Sequence, residues 1–332
     1  MKAKFKIFLS LLLFLTAAEF FSRQACYGYQ AYQRSEAALG TIVTITVPDT
    51  PEARQAVESS FNLVRTLEKC FSAHLPDSEL VRLNLHGGGI VSEPMGELIT
   101  RALVISRLSK GAFDPSCAPL IKLYKEAEKR GWPPAEKEIA ACLKRVGWQK
   151  IRLQNRRLSL PNGMSLDLGG IAKGFIVDKV ARYLDNLRLS GFLIDAGGDI
   201  FCSGLNPENK KWQIGIQSPW KEKEIVAIIR LSNSAVATSG DYRRYLLIKG
   251  KKYGHIVDPR TGKTVQEYPV SATVVAPDCT TADGLATACY VLGRKEGTDL
   301  LTKIKDVEGM LLDKDGEISA TAGWQQLLSS PD

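Results

Sequence analysis

Leu166-Asp167-Leu168-Gly169-Gly170-Ile171-Ala172-Lys173-Gly174 is a glycine-rich turn, and the residues behind it, 175–187, carry apolar side chains at helical spacing. The turn stands between two differently patterned halves of the chain. Before it, helical periodicity dominates. Asp49-Thr50-Pro51-Glu52 offers a capping side chain and a proline for a first turn, and Val57, Phe61, Val64, Leu67 and Phe71 follow on one face. Further helices are expected through Leu80 and Leu83 and over 97–110, 120–129 and 136–146. After about residue 150, short β-branched runs take over: a hairpin over 151–153 and 158–160, then 192–196, 212–216, 225–231, 235–238 and 271–276. Two more hairpins are expected, 245–248 with 253–257 and 310–312 with 318–320. A strand over 40–47 and a helix from Thr280 or Thr281 to about Gly293 are the exceptions. Helices and strands that segregate in this way predict an α+β fold rather than regular βαβ alternation.

The glycine turn is also the first segment that carries chemistry. Glycines ahead of a helix let the backbone approach a ligand, the helix start offers amides and positive potential to a phosphate, and Lys173 adds a mobile cation. The segment is neither a P-loop nor a GxGxxG fingerprint. A second segment is Thr281-Ala282-Asp283-Gly284-Leu285-Ala286-Thr287. Asp283 and Thr287 lie four apart and share one helix face, so a carboxylate and a hydroxyl, oxygen ligands of the kind magnesium accepts, stand one turn apart. Thr238-Ser239-Gly240-Asp241-Tyr242 leads through a hairpin to His255-Ile256-Val257-Asp258-Pro259-Arg260-Thr261-Gly262, which holds one of the three histidines. Gly111-Ala112-Phe113-Asp114-Pro115-Ser116 puts an aromatic and a carboxylate on a loop that could hold a flat heterocycle. Taken singly, each segment also reads as an ordinary turn.

The 332 residues are 44% hydrophobic and 24% charged, an ordinary globular composition. The formal charge of +8 includes Lys2, Lys4 and Lys6. Those lysines precede the apolar run 7–18 and the small residues Thr16-Ala17-Ala18, a secretory leader pattern too short for a comfortable membrane span. The expected organisation is a leader over 1–25, a linker over 26–36 and a single catalytic domain over 37–330. Cys26 is a candidate lipid-bearing cysteine, although Arg23 and Gln24 fit the usual surroundings of such a residue badly. Scattered basic residues without an aromatic-rich basic motif give no sign of nucleic acid. The seven cysteines show no CxxC spacing.

In order along the chain, these segments resemble the ApbE family of FAD:protein FMN transferases. The resemblance covers about 37–325. It runs through Leu39-Gly40-Thr41, Pro76-Asp77-Ser78-Glu79-Leu80 with Asn84, 111–115, 167–174, 196–199, 238–241, 255–262 and 283–287. It implies mixed helices and antiparallel sheets, related to the T-fold, around a central flavin-binding cleft. It implies that FAD is the substrate and that magnesium is held by Asp283 and the Thr287 hydroxyl, with the backbone carbonyls of Gly170 and Ala286. Asp167 and Lys173 match positions that contact FAD. Leu39, His74, Ala112-Phe113-Asp114 and Ile256 match others. Leu39 stands where methionine is usual, and His74 where many relatives carry tyrosine.

The expected reaction is attack of a Thr or Ser hydroxyl of an acceptor protein on FAD, with release of AMP and His255 or Asp241 as general base. The same site could serve an FAD pyrophosphatase, or an exported flavin-binding protein without turnover. The resemblance further implies an exported, periplasmic enzyme, with an inner-membrane anchor if Cys26 is lipidated. Its acceptor would be a membrane-bound respiratory subunit.

Overall fold

The structure, a computed structural model, describes residues 28–221, 223–240, 245–265 and 271–328. β1 (Ala31–Ala38) and β2 (Thr41–Pro48) form an antiparallel hairpin closed by Leu39 and Gly40, at φ 55° and 69°. Two consecutive left-handed residues suit the twist of a two-residue hairpin. The linker expected over 26–36 is thereby corrected, because residues 31–36 already belong to a paired strand. β1 alternates exposed and half-buried positions and carries Gln33, Arg34 and Glu36, so on its own it has no apolar face to read.

The chain then forms α1 (Pro51–Phe71), α2 (Glu79–His86), β3 (Gly88–Ile90), α3 (Glu93–Leu108), α4 (Ala118–Arg130) and α5 (Glu136–Leu143). Thr50 caps α1 by accepting from the Ala53 amide at 3.2 Å, with Pro51 in the first turn. β4 (Arg152–Gln154) and β5 (Arg157–Ser159) make the expected hairpin, and β3 adds a third strand beside β5. Next come α6 (Ala172–Asn186), β6 (Leu193–Ala196), β7 (Ile200–Cys202), β8 (Trp212–Gln217), β9 (Ile225–Leu231), β10 (Ser234–Gly240), β11 (Tyr245–Ile248) and β12 (Lys251–Gly254). β13 (Ser271–Ala276), α7 (Cys279–Leu301), β14 (Glu308–Leu312) and β15 (Ile318–Ala320) complete the described elements.

An eight-stranded antiparallel sheet, ordered β1-β2-β6-β7-β10-β13-β14-β15, organises the molecule. Helices α1, α6 and α7 cover one face, and the β8–β9 hairpin covers the other. Successive residues of a strand point to opposite faces, so the central strands split between two cores. In β13, Ala272, Val274 and Ala276 join the helical core, while Val275 joins Trp212, Ile214 and Ile229 under the hairpin. A strand covered on both sides is buried at every position, as residues 271–276 are, with Ser271 and Thr273 among the apolar side chains. A third, smaller core holds α4, α5 and the β11–β12 hairpin together through Leu120, Tyr124, Ile139 and Ile248.

Mixed helices and antiparallel sheets are as expected. The α7 cap is not: Asp278, rather than Thr280 or Thr281, accepts from the Thr281 amide at 2.8 Å. The break expected at about Gly293 is present: that residue, at φ 81° and ψ 176°, is non-helical, and a second helical segment follows it to Leu301. The six described cysteines are free thiols. No described helix is long and apolar enough to cross a membrane. Cys26 and the leader lie outside the described residues.

Candidate functional site

Two helix starts meet beneath the sheet. The Gly174 amide, in the first turn of α6, donates to Asp283 Oδ2 at 3.0 Å. A Cβ on Gly174 would stand 2.3 Å from the carbonyl oxygen of Cys279 and 2.8 Å from Asp283 Cβ. Only glycine lets α6 and α7 approach this closely. One turn further along α6, Asp178 grips the start of α7. Its Oδ1 accepts from the Cys279 amide at 2.7 Å, and its Oδ2 accepts from the Thr280 amide at 2.8 Å and from the Thr280 hydroxyl. Of the helix-start amides expected to face a phosphate, that of Gly174 is spent on Asp283.

Around this junction lies a buried charge cluster. Asp283 and Asp199 are 4% and 2% exposed, and Lys173 Nζ is ion-paired with Asp199 Oδ2. Two carboxylates thus face one ammonium. Burial, then the charge of Asp199, pushes the Asp283 carboxyl up to about 7 against the pull of Lys173. Burial works against the Lys173 ammonium, but Asp199 and Asp283 outweigh it and raise its pKa. An excess of buried negative charge is costly, and a bound cation would neutralise it.

Thr287 lies one turn beyond Asp283 on α7. Its hydroxyl donates to the Gly170 carbonyl at 3.2 Å and lies 3.1 Å from Ser239 Oγ. A Cβ on Gly170 would come within 3.0 Å of Thr287 Oγ1 and 3.3 Å of Phe113 Cε2, filling this cradle. Carboxylate, hydroxyl and carbonyl are hard oxygen donors suited to magnesium. Among the described residues no group of three or more His, Cys, Asp and Glu side chains could hold a metal ion. A cation here would therefore rest on one carboxylate, neutral oxygens and the oxygens of a bound phosphate. Ala286, fully buried, adjoins Thr287, and its helix carbonyl could contribute only a second lone pair.

The other expected residues sit at varied distances from this centre. Asp167 ties the glycine turn to the loop over 111–116: its amide donates to the Pro115 carbonyl at 2.7 Å and its Oδ1 accepts from the Gly169 amide at 2.8 Å. Ala112 and Phe113 are buried, Phe113 against the Gly170 turn. The Asp114 carboxylate is turned inward, accepting from the amide and hydroxyl of Ser116 at 2.8 and 2.6 Å and from the Trp148 amide at 2.8 Å. Leu39 is half-buried, with its amide on Glu68 Oε1 at 3.0 Å. His74 is exposed on the turn between α1 and α2. His255 and Ile256 are half-buried just after β12, with Ile256 packed on the main core. Asp241 lies outside the described residues. The sequence alone assigns no site role to Asp199 or Asp178. The Gly197-Gly198 pair before Asp199, at φ 69° and 101°, is the signal that could have found the first. Asp178 lies inside a helical run and gives none.

A groove of about 760 Å³ opens next to the glycine turn, bordered by Asn84, Lys122, Arg145, Met164 and Ser165. Asn84 fixes its edge by pairing with both the carbonyl and the amide of Leu166, at 2.8 and 2.7 Å.

The family model described as the ApbE family matches residues 39–311. The chain belongs to the ApbE family. Among ApbE relatives, the FAD:protein FMN transferase of Treponema pallidum (strain Nichols) is 32% identical over 315 residues, covering 88% of this chain and 87% of that protein. The protein of the same name from Haemophilus influenzae (strain ATCC 51907 / DSM 11121 / KW20 / Rd) is 33% identical over 278 residues, covering 79% and 78%. The crystal structure of the ApbE protein of Thermotoga maritima superposes with a TM-score of 0.82 at 30% identity, over 91% of this chain and all of that one. The flavin transferase ApbE of Vibrio cholerae gives 0.79 at 28% identity, over 90% and 99%.

Proposed function

We propose that this chain is a magnesium-dependent FAD:protein FMN transferase. The observation that carries the reading is the convergence of Asp283, Thr287, the Gly170 carbonyl and Lys173 where two helices start. The names of the ApbE relatives support the same activity.

Asp283, Thr287 and Gly170 would hold magnesium, with Ala286 adjoining. A divalent ion bound there supplies neutralisation of the pyrophosphate charge. Lys173 adds a cation beside it, and Phe113 shapes the wall next to Gly170. Leu39, His74, Asp167 and Ile256 are the positions proposed to hold the rest of FAD, together with the backbone of 112–114. The acceptor's Thr or Ser oxygen forms a bond to the phosphorus on the riboflavin side, the bond from that phosphorus to the bridging oxygen breaks, and AMP leaves. The hydroxyl proton passes to a general base, for which His255 and Asp241 are proposed. The leader over 1–25 supports export to the periplasm, with Cys26 as a lipid anchor and a membrane-bound respiratory subunit as acceptor.

The test is AMP release from FAD by the full-length protein, with and without magnesium and a threonine-bearing acceptor segment. Magnesium-dependent AMP release with flavin fluorescence left on the acceptor is the expected result. AMP and free FMN without acceptor would replace the transferase by a hydrolase. FAD binding without AMP would leave a carrier.

A further inference from the structure

Asp199 belongs to none of the roles assigned so far, yet it is 2% exposed and its carboxylate is ion-paired with the Lys173 ammonium. Its backbone is fixed. The Asp199 carbonyl accepts from the Ala196 amide at 2.9 Å, and the Gly198 amide ahead of it is held by Asp195 Oδ1 at 2.8 Å. The turn over 197–198 is pressed against β2, where a Cβ on Gly197 would lie 2.2 Å from Thr41 Oγ1. Asp199 is therefore a rigid anchor at the tip of the β6–β7 connection. Lys173, by contrast, is a charge on a four-carbon stem with freedom to swing. The other buried carboxylate in its field is Asp283.

An ammonium seated on Asp283 would compete for the lone pairs that a divalent cation needs. We infer that Asp199 is a positioning residue that holds Lys173 off Asp283 and thereby keeps that carboxylate open to a divalent cation. The inference rests on the metal assignment above. It gives a role to the second buried acid that stands beside Lys173 and Asp283.

The test is a double-mutant cycle on the full-length protein, with Mn2+ as probe and free Mn2+ read by electron paramagnetic resonance, so that no turnover is needed. Loss of one negative charge acts on Mn2+ in both backgrounds and cancels in the comparison. The loss of Mn2+ affinity caused by Asp199→Asn should be at least about tenfold larger with Lys173 present than in a Lys173→Met background. Equal losses in the two backgrounds would overturn the inference while leaving the metal site standing. Absence of Mn2+ binding by the unsubstituted protein would overturn both. Asp199→Glu keeps the charge and should bind Mn2+ within about threefold of the unsubstituted protein, and a loss as large as that of Asp199→Asn would also overturn the assignment.

Discussion

The Gly174 amide and the Asp283 carboxylate meet at 3.0 Å across two helices that have no room for a side chain between them. The contact is at once a close approach of α6 to α7 and the anchor of the proposed metal carboxylate. Gly174→Ala would put a methyl 2.3 Å from the Cys279 carbonyl oxygen, a backbone atom that cannot rotate away. Alanine gains about 1 kcal/mol over glycine in a helix interior, whereas overpacking costs about 1–3 kcal/mol and here must also push α6 and α7 apart. The expected result is a net loss of about 2 kcal/mol in urea unfolding, accompanied by loss of AMP release. Unchanged stability would mean the helices do not meet as described.

Asp283→Ala would leave the Gly174 amide buried without an acceptor, mixing a folding effect of about 1–3 kcal/mol with any catalytic one. Asp283→Asn retains a carbonyl oxygen for that amide and removes only the charge. It should lower AMP release at least about a hundredfold at limiting magnesium, since a neutral amide is a poor ligand for a hard cation. Near-normal turnover at limiting magnesium would remove Asp283 from the metal site.

Asp178 gives a pH signature of its own. Burial, opposed by its hydrogen bonds from Thr280 and assisted by Asp278, raises its carboxyl from 3.8 to about 6. An acid whose pKa is higher folded than unfolded keeps its proton in the native state over that interval. Its contribution to stability is therefore fully present below the unfolded pKa and lost as pH rises through about 6. Urea midpoints measured from pH 4 to pH 7 for the unsubstituted protein and Asp178→Asn should show the difference changing in that sense. A parallel pair of curves would mean that Asp178 titrates as an ordinary carboxylate.

Elements with their own pattern were legible in the sequence: α1 from Thr50 and its apolar stripe, and β13 from its small and β-branched residues. β3 was not, because Gly88-Gly89-Ile90 carries a single apolar side chain, and β1 was not, because its pairing partner rather than its composition makes it a strand. At the site, Asp283, Thr287, Gly170 and Lys173 were each visible as unusual residues near helix starts. Their meeting was not, since it depends on α6 and α7 crossing more than a hundred residues apart in sequence. Asp114 shows the converse. Its chemistry suggested a ligand contact, and the fold adds a local role the sequence did not show, since its carboxylate accepts from Ser116 and Trp148 and holds the loop.

His74, where the family resemblance implies a tyrosine, offers a test of the proposed flavin site. The turn that carries it is shaped by serines and not by the imidazole: Ser72 Oγ accepts from the amides of His74 and Leu75 at 3.1 and 3.2 Å, and the Ser78 hydroxyl donates to the Ser72 carbonyl at 2.6 Å. With the side chain exposed, His74→Tyr should change stability by no more than about 0.5 kcal/mol. A tyrosine ring offers a larger aromatic face, and aromatic stacking contributes about 0.5–1.5 kcal/mol, so FAD should bind about two- to tenfold tighter. Tighter holding of the flavin half should also raise the share of FMN that reaches the acceptor rather than water. Flavin fluorescence titration measures the first effect, and the ratio of acceptor-bound to free FMN at equal AMP release measures the second. If neither moves, position 74 lies outside the flavin site.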